Sequence, residues 1–215
     1  MNRKEELIKL LGDYKTEYQN LQAKIFEVNK NTEYTQEGRD KIIVGLQSDF
    51  ASTVTTYHDR GVELIDQGME TLAESWRKGT VGKLLDSDYQ AGLSNVIKML
   101  ELKAVQKKDD LQNIIDTYAS DYNAISVIET ILKNSNNEVW SKGELDIPAD
   151  NRDKTKTLLM QLRNNIDRYI SSNSLNASSK SWNAFNQNAI DVSSSMDSMA
   201  QFVRDKLGDN LELLE

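Results

Sequence analysis

From Leu7 onward the chain places an apolar or aromatic side chain at alternating steps of four and three, through Leu11, Tyr14, Tyr18, Leu21, Ile25 and Val28, without a miss. Seven residues per two turns is slightly fewer than an unstrained α-helix uses, so the stripe stays on a partner only if the two helices wrap left-handedly. The spacing therefore predicts a coiled-coil seam and a chain built for long helix-on-helix contacts.

Composition extends that prediction to the whole chain. One proline, Pro148, and ten glycines in 215 residues leave out most of the punctuation that hairpin-rich β proteins need. Hydrophobic residues make up 38% and charged residues 28%, the balance expected when each helix buries one stripe and keeps the rest of its circumference in water. The expected fold is all-α: elongated antiparallel helical hairpins forming a coiled-coil bundle of about five helices.

The first helix is expected from Arg3 to about Asn29, ending in a polar turn. Thr35 then caps a second helix, with Glu37 against its positive end. Ile43, Leu46, Phe50, Thr53 and Tyr57 form its seam, and Leu64, Ile65, Met69, Leu72 and Trp76 carry an apolar face onward to a turn at Gly79 and Gly82. Gly61 and Gly68, seven apart, share one face; they fit either a close backbone approach or glycines merely tolerated in a packed helix. Ser87 and Gln90 have capping-box spacing for a third helix, expected to run unbroken from Ser87 to Lys133, with two helices joined near Lys108 as the alternative. Residues 134–150 read as a loop holding Trp140. Asp150 can cap a fourth helix with Leu159, Leu162, Ile166 and Tyr169 or Ile170 on one face. A serine- and asparagine-rich linker follows over 171–180. Trp182, Phe185, Ala189, Val192, Met196, Met199, Val203 and Leu207 mark a fifth helix, with Gly208 as its cap. The chain divides accordingly into 1–84, 85–147 and 148–215, a division that also fits one elongated domain.

Charge and composition argue against several classes of function. A net charge of -8 opposes nonspecific attraction to nucleic acid or anionic membrane. The basic group Lys103, Lys107 and Lys108, spaced to share one helix side, is followed by Asp109 and Asp110 and fits a solvated face. With no cysteine, disulfides and thiolate zinc sites are impossible. No apolar run fits a signal peptide or a membrane span, so a soluble, cytoplasmic protein is expected.

The sequence has no recognisable catalytic pattern. His58 is the only histidine, too few for a histidine-ligated metal centre, and beside Asp59 it fits a surface or seam-edge position. Two residues separate Gly79 from Gly82 where a phosphate loop needs four, and Leu84 stands where that loop needs a hydroxyl. Asp86, Asp88 and Gly92 begin like a calcium loop, but the glycine falls one place late and Ile97 replaces the closing glutamate. Asn176 and Ser178 match a glycosylation acceptor only as a three-residue pattern. No enzyme activity, cofactor or metal is expected.

The stretch from Asn31 through Thr32, Glu33, Tyr34, Thr35, Gln36, Glu37, Gly38, Arg39, Asp40 and Lys41 to Ile42, a turn flanked by coiled-coil helices, resembles the small helical head-assembly proteins of tailed phages and prophages of Gram-positive bacteria. The resemblance implies a virion structural, scaffolding or assembly role, with capsid or tail subunits as partners, in the host cytoplasm or in the particle. Periodicity alone implies helix association, including self-association. On this reading Leu11, Tyr18, Leu21, Phe50 and Tyr57 hold the first hairpin, while Trp140 and the tail residues Leu211, Leu213 and Leu214 are the candidate partner contacts. The alternative is a soluble regulator or inhibitor that binds a host protein through an acidic helical face.

Overall fold

A computed structural model describes residues 2–171, Leu175 and residues 192–214, with the backbone alone at 80–82. Among these residues there are eight helices: α1 (Arg3–Lys30), α2 (Gln36–Leu84), α3 (Ser87–Glu101), α4 (Lys108–Tyr118), α5 (Tyr122–Asn134), α6 (Glu138–Ser141), α7 (Arg152–Tyr169) and α8 (Val192–Lys206). Their only β pairing is one antiparallel bridge, Leu207 to Leu213. The all-α class is as predicted, with more and shorter helices than five. Most of the expected linker, Asn176 and the start of the expected fifth helix lie outside the described residues.

Local chemistry explains where the helices begin. Asn2 and Glu5 form a reciprocal capping box on α1, the Asn2 side chain accepting from the Glu5 amide at 2.8 Å. The Thr35 hydroxyl accepts from the Gly38 amide at 3.1 Å at the head of α2. Gly79 and Gly82 do not stop α2 as expected, because a helical glycine costs only about 1 kcal/mol relative to alanine and does not forbid the conformation. The break comes at Asp86, whose side chain accepts from the Asp88 and Tyr89 amides. Asp86, one residue before the expected Ser87, is thus the cap, and Gln90 bonds back to the Lys83 carbonyl.

The chain forms two compact units, Met1–Leu72 with Arg152–Glu215, and Ala73–Asn151. α2 contributes residues to both.

The first unit arranges α1, α2, α7 and α8 in a ring of antiparallel neighbours. On α1 the stripe from Leu7 to Ile25 is buried within the chain. Its nearest backbone neighbour is α8, whose buried stripe is Val192, Met196, Met199 and Val203. Ser193, Ser195 and Ala200, half-buried beside that stripe, have little bulk to hold the two backbones apart. Lys15 pairs with Asp197 at 2.7 Å, and the Lys4 amide donates to the Asp209 carbonyl at 3.4 Å, so the two helices run antiparallel. The expected α1–α2 contact exists, but through longer side chains: the Tyr14 ring lies 5.5 Å from Tyr57 and 6.3 Å from Phe50. Gly61 faces Ile166 of α7 and Leu10 of α1, and Gly68 faces Leu211. Both glycines make room for neighbouring side chains; no second backbone fills the space.

The second unit corrects the unbroken helix expected from Ser87 to Lys133, which is three helices: one break ends at Lys108, the alternative join, and a second falls before Tyr122. α3 ends in a Schellman motif: Lys103, at φ 56°, donates to the Leu100 carbonyl, and the Ala104 amide donates to that of Met99. A lysine held left-handed costs on the order of 1 kcal/mol, a strain glycine would avoid. Lys103 therefore ends α3, Lys107 caps α4 and Lys108 opens it, so the three do not share one helix side. The core gathers Leu100, Leu111, Ile115, Tyr118, Ile125, Ile128 and Leu132. Residues 134–150, read as a loop, contain α6, which ends on Gly143 at φ 65°.

Asp121 anchors this unit. It is 5% exposed, caps α5 by accepting from the Asn123 and Ala124 amides, and accepts the Tyr89 hydroxyl at 2.8 Å. Burial first, then this hydrogen bond, pushes the Tyr89 hydroxyl above its usual range, so it stays a donor at neutral pH. Replacing Asp121 by alanine removes a cap and strands a part-buried donor, and is expected to cost about 2 kcal/mol. Urea unfolding with hydrogen exchange at the α5 amides checks this; α5 should lose protection first.

Candidate functional site

The sequence candidates occupy different surroundings. Trp140, on α6, is half-buried and packs against the core of the second unit. Leu211 is fully buried against Gly68, so the tail inserts this side chain into its own unit. Leu213 is half-buried in the bridge to Leu207, and Leu214 is 45% exposed. Leu11, Tyr18 and Leu21 are buried, and Phe50 and Tyr57 half-buried. Gly208 is not the left-handed cap expected of it. Its amide donates to the Glu212 carbonyl at 2.7 Å, and the Glu212 side chain occupies the space a Cβ would fill. The left-handed residue of this reversal is Leu211, at φ 68°.

His58 sits between α2 and α7. Its Nδ1 is 2.9 Å from Asp59 and its Nε2 2.9 Å from Asp167, while Arg163 bridges Asp167 and Asp66. A neutral ring has one N–H and serves one carboxylate; the imidazolium serves both. The hydrogen bond to Asp59, followed by that to Asp167, raises the histidine pKa against the opposing effect of burial. Because the folded value exceeds the unfolded one of about 6.5, the stabilisation is complete below that pH and disappears as pH rises through the folded value. The urea midpoint should fall across that window, and His58→Gln should remove that part of the slope. Equal slopes in the two proteins would contradict the pairing.

A recess in the second unit joins apolar and ionic groups on a smaller scale. Of about 380 Å³, it lies between the ends of α3 and α5 and the start of α6. Leu100 and Leu132, each 2% exposed, form its base, with half-buried Val105 and Val139 beside them. Lys103, Lys142 and the carboxylate-bearing Glu138 line it, together with Gln106, Asn136 and Asn137. Leu102, next in sequence to Lys103 and two residues past Leu100, stands 79% exposed. The volume of the recess falls at the low end of the range of small-ligand sites, roughly 300–1,000 Å³. Reading the chain as sequence missed this grouping, although Lys103 belonged to the basic cluster and the run Asn134, Ser135, Asn136 and Asn137 marks a helix stop.

Among the described residues no three His, Asp or Glu side chains are placed to hold a metal ion, and no helix is long and apolar enough to cross a membrane. Comparisons with protein-family models, with curated proteins and with solved structures return no match.

Proposed function

We propose that this chain is a non-enzymatic helical interaction protein, a structural, scaffolding or assembly component of a tailed-phage particle that acts in the host cytoplasm or within the virion. The observation that carries the interaction reading is the surface at the end of α3. There Leu102, 79% exposed, stands beside a recess that combines apolar residues with two lysines and one glutamate. The α1 stripe supports it indirectly: buried within its own chain, that seam leaves partner binding to other surfaces. The particle-assembly part rests on the resemblance carried by residues 31–42.

Co-expression with the head and tail gene products of a Gram-positive prophage, followed by affinity purification and light scattering, tests the reading. The expected result is a capsid or tail subunit retained at fixed stoichiometry. Retention and inhibition of a defined host enzyme would overturn it in favour of a regulator, the reading that the net charge of -8 favours. Turnover by the pure protein would overturn both.

A further inference from the structure

Lys103 holds a backbone position that glycine occupies without strain, and its side chain lines the recess. Its helix-stopping role needs only the left-handed backbone, so the amino group serves no part of the stop. Among the described residues no carboxylate pairs with it. Lys142, across the recess, has Glu138 at 3.7 Å, with those side chains 61% and 89% exposed, a loose surface pair that a better-placed carboxylate can displace. Two lysines and one carboxylate, Glu138, therefore surround half-buried Val105 and Val139, with Leu100 and Leu132 buried beneath them.

We infer that this recess receives an acidic peptide segment of a partner protein. One apolar side chain seats against half-buried Val105 and Val139, above Leu100 and Leu132, and flanking carboxylates meet Lys103 and Lys142. Exposed Leu102 extends the apolar contact beyond the rim. Charge complementarity selects the occupant: a basic segment would face two ammonium groups with only the Glu138 carboxylate to offset them, and a purely apolar one would leave Lys103 without a partner. The assignment rests on the interaction reading above and gives it a site and a partner chemistry.

The test titrates the full ¹⁵N-labelled chain with a capped synthetic hexapeptide, Asp-Leu-Glu-Asp-Leu-Glu, and with two controls in which lysine replaces every acid or serine replaces each leucine. Saturating amide shifts confined to residues 100–106 and 132–142 are expected with the acidic peptide, none with the lysine peptide, and weaker binding with the serine peptide. Lys103→Gly is the decisive variant: it relieves backbone strain, so its Tm should rise while its affinity falls about tenfold. Lys142→Gln should weaken binding with Tm unchanged. Shifts that are absent, that fall elsewhere, or that survive Lys103→Gly with undiminished affinity would overturn the assignment. If the peptide fails yet the chain still retains capsid or tail subunits on co-purification, the interaction reading stands and only this site falls.

Discussion

Replacing Tyr14 by alanine should remove about 3–5 kcal/mol of stability, the cost of deleting a large ring from a closed core. Tyr14 is fully buried, and its ring lies 6.3 Å from Tyr18, 6.3 Å from Phe50 and 5.5 Å from Tyr57. α1 and α2 meet through these rings, so the surrounding backbone cannot collapse into the space without moving one helix. Tilted aromatic pairs add about 0.5–1.5 kcal/mol each to what burial alone supplies. For a chain of this length the loss corresponds to a Tm lowered by about 10 °C, a large part of a typical total stability of 5–15 kcal/mol. Phe26→Ala, on the same helix but 53% exposed, provides the control and should stay within about 0.5 kcal/mol of the parent. Urea unfolding followed at 222 nm compares the two. Equal losses would mean the ring cluster does not hold α1 to α2.

The tail makes the second large prediction, and its sign depends on context. Leu211 is fully buried, and a Cβ added at Gly68 would lie 2.8 Å from its Cδ1. Leu211→Ala should cost about 3 kcal/mol through lost burial and the cavity left at Gly68. In the parent chain Gly68→Ala should destabilise, because Leu211 is packed and cannot swing aside, and overpacking costs about 1–3 kcal/mol. In the Leu211→Ala background the same substitution meets no side chain and should stabilise, recovering up to about 1 kcal/mol of helix propensity. A four-cornered urea cycle measures the reversal. Additive effects would show that the tail does not sit on α2.

Much of the helix content was legible in the sequence because period and caps are local. The four-three spacing from Leu7 to Ile25 became the buried stripe of α1, and the Thr35 cap began α2 where expected. Helix stops were less legible. Gly79 and Gly82 suggested an end that helix propensity alone cannot impose, whereas Lys103 ends α3 in a conformation a lysine rarely adopts. The recess followed from that stop: a basic cluster read as one helix side was divided, and Lys103 came to face Lys142 only through the fold.

The sequence by itself determined that the chain is helical, that α1 has one apolar stripe, and that no familiar ligand set for metal or phosphate is present. A stripe specifies the area to be covered and carries no address for its cover. Tertiary structure assigned α8 to α1 across most of the chain's length, turned the tail inward at Leu211 and spent Gly61 and Gly68 on neighbouring side chains. The physical reason is that helix formation is governed by residues within a turn or two, whereas partner choice depends on the volumes and spacings of segments far apart in the chain.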